Sequence, residues 1–174
     1  IMTSVFVHEN STHLINNLES FLSWIFLFLV FTSSLNPRNR NEISKVLMII
    51  AFIGAFVANG AEMIIWEIRG STNIVSRGSS GLVYSVLGAV FVSALINLQR
   101  NCLVLVQKMA KFKKRLLSLH TWKHLIRGAL TLSFVIVIPA KLFISANEFF
   151  GIAPGVDVLG HAFGFLVGLI GCIM

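Results

Sequence analysis

Acidic side chains are scarce in this sequence: seven aspartates and glutamates stand against 14 lysines and arginines in 174 residues. Charge of either sign makes up 12% of the chain, about half of what a soluble domain carries. That argues against a water-soluble globule. Two cysteines, Cys102 and Cys172, are too few for a disulfide-stapled scaffold, and both fall toward the side that the charge pattern makes cytoplasmic, where thiols stay reduced. Only three prolines interrupt the chain. One of them, Pro139, lies inside an apolar run that it should kink by removing a backbone hydrogen bond. Tyrosine occurs once, at Tyr84, and neither an internal repeat nor a low-complexity tract is present.

What the sequence has in plenty is hydrophobic length. Apolar residues make up 56% of it, and the mean hydropathy is +0.84. Runs near 20 residues recur, each enough to cross about 30 Å of hydrocarbon as a helix and too long for barrel strands. The expectation is an all-α, polytopic membrane protein, one domain over 1–174, with five spans at about 13–34, 44–66, 80–99, 124–146 and 156–174.

The formal net charge of +7 is distributed unevenly. Arg38, Arg40 and Lys45 lie between the first two spans, and a second basic group runs from Arg100 through Lys108, Lys111, Lys113, Lys114 and Arg115 to Lys123 and Arg127. Of the 14 basic residues, only Arg69, Arg77 and Lys141 fall elsewhere. The positive-inside rule makes both groups cytoplasmic and turns the chain start and the 67–79 and 147–156 loops outward. The charge therefore reports topology, with the lipid bilayer as partner and no nucleic acid. Five spans entered from outside, an initial Ile1 and no cleavable signal lead to the expectation of a further span upstream. In the basic connection 100–123, Leu105, Met109, Phe112, Leu116 and Leu119 recur at helical spacing between lysines. This is the pattern of an amphipathic helix on an anionic leaflet, or of a solvated charged loop.

Small and polar residues are the exceptions in such a chain, so their positions matter. Gly160, Gly164, Gly168 and Gly171 punctuate the last run at spacings that let two helix backbones approach closely, with Gly81 and Gly88 of the third run as the expected counterpart. Joining those runs brings together Ser79 and Ser80 at the start of the third and His161 near the start of the fifth. His8, His13 and Asn17 enter the first run at the same depth. Ionisable groups inside a membrane are functional candidates by default. A serine becomes a nucleophile when a histidine takes its proton, and the oxyanion that follows needs prearranged donors. A helix N-terminus offers unpaired N–H groups, and His13 and Asn17, four residues apart on one helix face, add side-chain donors. Glu19, Asn59 and Glu62, polar within the first two spans, are expected to make interhelical hydrogen bonds.

These residues resemble the rhomboid family of intramembrane serine proteases. "GSSG" at 78–81 is similar to the family's GxSG motif, and "HENSTHLINN" carries its His-x4-His-x3-Asn pattern as His8, His13 and Asn17. "GHAFGFLVG" is similar to its final-span His-x2-Gly-x3-Gly pattern as His161, Gly164 and Gly168. The resemblance implies a Ser80–His161 dyad, with an oxyanion hole from His13, Asn17 and the Ser80 N–H. Supporting roles go to His8 above the site, to Tyr84 stacking on the histidine, and to Gly78, Gly81 and Gly164. It implies single-span membrane proteins as substrates, cleaved in or near a transmembrane segment, and a plasma-membrane location with the site toward the extracytoplasmic face. It implies neither a metal nor another cofactor. The span kinked at Pro139 resembles the mobile helix beside which substrate enters. The family's first span and the Trp-Arg motif of its next loop have no counterpart here, Gly160 replaces its usual alanine, and Asp157 stands where a triad would place a third member although the family uses a dyad. A rival from another class is a catalytically inactive rhomboid-like protein that binds membrane clients, although such relatives usually lack the serine or the histidine. A transporter is disfavoured, since no inverted repeat or second broken helix surrounds a midplane site.

Overall fold

Lipid solvates apolar side chains as well as a protein interior does, so helices in a bilayer meet through small and polar faces and turn their large apolar residues outward. The chain is built this way in a computed structural model that describes residues 11–33, 35–68, 70, 80–111, 119–144 and 158–172. The described residues are helical, with no strand among them: α1 (Ser11–Thr32), α2 (Pro37–Ile68), α3 (Ser80–Lys111), α4 (Leu119–Ile144) and α5 (Val158–Gly171). Four segments are long and apolar enough to cross a membrane: Ser11–Thr32, Pro37–Ile65, Ser80–Leu103 and Trp122–Ile144.

Of the fifth expected span, 156–174, the described residues form α5, 14 residues or about 21 Å at 1.5 Å per residue, and 156–157 and 173–174 lie outside the described ones. Helix α5 is packed against α3 and α2, and Gly160, His161, Gly164, Phe165 and Gly168 are buried. Contact with protein, not exposure to lipid, sets the fit of this helix. Helix α2 begins seven residues before the expected span. Asn36 caps it, its Oδ1 accepting a 2.8 Å hydrogen bond from the Asn39 N–H, and Pro37 takes the first helical position, where no N–H is needed. The "NPRN" stretch is thus a helix start as well as a turn. Residues 101–111 continue α3 without a break, so this half of the basic connection is not a separate surface helix; residues 112–118 lie outside the described ones. Pro139 sits inside α4, which runs on to Ile144.

Helix α3 is central and packs against all four others. Residues 85–90 of it are buried all round, while α1 exposes Leu14, Leu18, Leu22, Phe26 and Leu29 at roughly one-turn intervals. Its close fit to α5 comes from the absence of side chains. A β-carbon on Gly164 would strike the Gly81 carbonyl, one on Gly168 the Ser85 carbonyl, and one on Gly88 the Phe165 carbonyl. On the α2 side, the Ser85 hydroxyl donates to the Ile50 carbonyl at 3.0 Å, and Gly54 lies against Ser85. Phe134 fastens α4 at mid-height, with ring centroids 5.5 Å from Phe31, 6.0 Å from Trp24 and 6.4 Å from Phe91. Such offset aromatic pairs are each worth about 0.5–1.5 kcal/mol beyond their buried area.

Candidate active site

The register between α3 and α5 decides what lies at their N-terminal ends. Gly81 follows Ser80, and its backbone packs on Gly160 and Gly164, which bracket His161. Ser80 and His161 therefore occupy touching turns of two neighbouring helices. Both are withdrawn from solvent, 4% and 7% exposed. As the first residue of α3, Ser80 stands where backbone N–H groups lack intrahelical acceptors and the helix dipole favours negative charge.

Tyr84, one turn below Ser80, lies flat on His161, with ring centroids 4.3 Å apart and planes inclined by 15°. The ring fixes one face of the imidazole. A cavity of about 360 Å³ adjoins this pair, bounded by His13 and Asn17 of α1, Tyr84 of α3, Val137 and Lys141 of α4, and His161 of α5. Asn17 Nδ2 is buried and has no hydrogen-bond partner among the described residues. An amide donor left idle beside an imidazole is a group available to a transient anion.

Of the residues expected from sequence, the structure gathers His13, Asn17, Tyr84 and His161 around one cavity, with Ser80, Gly81 and Gly164 in the helix contact beside it. Ser80 is not itself on the cavity wall, where α3 contributes Val83, Tyr84 and Leu87. His8, Gly78, Ser79 and Asp157 lie outside the described residues. Asn59 and Glu62 are buried in α2, whereas Glu19 departs from expectation by lying on the exposed face of α1. Its neighbour Leu18 is 53% exposed, so this side of the helix faces away from the bundle.

Three polar wall residues were not anticipated. Asn16 and Ser20 form a second four-residue step beside that of His13 and Asn17, and Lys141 brings a cation from α4. The first two were visible as a polar pair in an apolar helix. In the sequence Lys141 is only a charge outside the two basic groups. Compared with known proteins, the chain matches no family model, no curated protein and no solved structure.

Proposed function

We propose that the chain is an intramembrane serine protease of the rhomboid type, one that hydrolyses a peptide bond in or near the transmembrane segment of single-span membrane proteins. One observation carries the reading: Tyr84 stacks on His161 beside a cavity that also holds His13 and Asn17, whose Nδ2 has no hydrogen-bond partner among the described residues, with Ser80 on the adjoining turn. Packing alone needs small residues at such a helix crossing. It does not need a stacked imidazole and an idle donor there.

In this reading His161 takes the Ser80 proton as Oγ attacks the substrate carbonyl carbon. The carbonyl π electrons move to oxygen, and that oxyanion accepts hydrogen bonds from His13, Asn17 and the Ser80 N–H. Collapse of the intermediate breaks the C–N bond, and His161 passes its proton to the departing amine. Water then attacks the acyl-enzyme by the same route, with His161 again as base and then acid. The basic segments at the opposite end of the bundle support a site toward the extracytoplasmic face by the positive-inside rule, and this reading takes the plasma membrane as its setting.

The test is covalent labelling by a fluorophosphonate together with cleavage of a single-span substrate in proteoliposomes. Wild-type protein should be labelled and should cleave, and Ser80→Ala should do neither. Wild-type cleavage by Ser80→Ala would end the protease reading. A folded chain that neither labels nor cleaves, yet retains membrane clients, would replace it with a binding role.

A further inference from the structure

At the end of the bundle away from the cavity, four residues close a hydrogen-bonded ring, its last link made to a backbone carbonyl. Arg127 Nη2 donates to Asn101 Oδ1 at 3.2 Å, Asn101 Nδ2 to Asn97 Oδ1 at 3.0 Å, Asn97 Nδ2 to Thr131 Oγ1 at 3.5 Å, and the Thr131 hydroxyl to the Arg127 carbonyl at 2.7 Å. Nη2 also lies 2.9 Å from His124 Nδ1, and Nη1 makes a long 3.5 Å contact with the Ser33 hydroxyl. Each of these partners is a neutral dipole. Neither Arg127 nor Lys123 pairs with a carboxylate among the described residues, so the ring orients the guanidinium without neutralising it. Arg127 Nε is buried and has no hydrogen-bond partner there.

The ring borders a cavity of about 850 Å³ between α1 and α4. Lys123, Arg127, His124 and Ser33 form its polar end. Phe26 and Leu29 of α1 and Ile126 and Leu130 of α4 line the rest, and these four are 48–65% exposed. Two cations with no carboxylate partner among the described residues thus stand at the head of an apolar channel between two helices of membrane-spanning length. A soluble anion would satisfy the cations and leave the channel empty; a neutral lipid would fill the channel and leave the cations uncompensated.

We propose that this groove binds an anionic phospholipid from the leaflet at the basic end of the bundle. Its phosphate sits between Lys123 and Arg127, and an acyl chain lies along Phe26, Leu29, Ile126 and Leu130. The site is separate from the Ser80–His161 pair and does not depend on the protease reading.

The test is native mass spectrometry of the full chain in detergent with equimolar phosphatidylglycerol and phosphatidylcholine. The wild type should retain phosphatidylglycerol preferentially. Lys123→Gln should reduce that preference about fivefold, the effect of one cation at an anionic surface. Arg127→Gln also opens the ring, so Leu130→Trp serves as a second variant: it narrows the channel, leaves the ring intact and should lose both lipids at an unchanged melting temperature. Equal retention of the two lipids, or an unaltered preference in Lys123→Gln, would overturn the proposal. Complete displacement by millimolar inorganic phosphate would show a free-anion site and overturn it as well.

Discussion

Replacing Gly168 by alanine adds one methyl group where α3 and α5 touch, and its consequence follows from what that methyl would meet. The new β-carbon would strike the Ser85 carbonyl oxygen and lie 2.9 Å from both the Ala89 nitrogen and the Ser85 carbonyl carbon. All three are backbone atoms of a buried helix, so no rotamer change relieves the contact and the helices must separate. Overpacking of a tight interior costs about 1–3 kcal/mol, and a clash confined to backbone belongs at the upper end. Alanine in place of glycine recovers about 1 kcal/mol of helix propensity. The net loss is therefore about 2 kcal/mol, a fall of about 4–8 °C in melting temperature for a chain of this size. Gly128 supplies the control, because a β-carbon there meets nothing within 4 Å. Gly128→Ala should keep the propensity gain and be about 1 kcal/mol more stable than wild type. Equilibrium unfolding in mixed micelles should separate the two variants by about 3 kcal/mol. Equal stabilities, or Gly168→Ala the more stable, would refute the claim that backbone contact fixes the α3–α5 register.

Three further outcomes follow from the site and the charge pattern. Asn17→Ala should reduce kcat by up to about 10²–10³ and barely change the melting temperature, since its Nδ2 makes no hydrogen bond among the described residues that the change would break; parallel losses of activity and stability would make Asn17 structural. Tyr84→Phe should cleave at near the wild-type rate in proteoliposomes because it keeps the ring stacked at 4.3 Å, whereas Tyr84→Ala should lose about tenfold, the upper value of a ring pair; equal loss in both would assign the effect to the hydroxyl. A cysteine placed at Lys113 should resist membrane-impermeant labelling in intact cells, and outside labelling would reverse the topology.

The spans were legible in the sequence because bilayer thickness imposes a length that hydropathy measures directly. Their ends were less so. Hydropathy falls after residue 99, yet α3 runs on to Lys111, since its hydrogen-bond ladder and helix-forming Leu, Gln and Lys residues continue past the hydrocarbon. The start of α2 was readable in Asn36 and Pro37 as a cap, a signal that a hydropathy window passes over. The glycines of α5 gave more than its hydrophobic length did. They named α3 as its neighbour, and from that register the proximity of Ser80 and His161 follows.

The far end of the bundle shows why charge placement alone says little about structure. In the charge pattern Arg127 is one positive charge among several. In the structure it lies within α4 and is held by Asn101, 26 residues earlier on α3, and by Ser33 at the end of α1. A sequence gives the sign of that residue but not its partners, because Asn97, Asn101 and Thr131 are ordinary polar interruptions until α3 and α4 bring them together. The ring and the Phe134 cluster fasten α4 at its basic end and mid-height. Toward the site end α4 borders the cavity through Val137, Ile138 and Lys141, where space of about 360 Å³ separates it from close packing. Loss of the ring should thus loosen the basic end of α4 up to Phe134, whereas substitutions at Val137 should alter the cavity and leave the basic end closed.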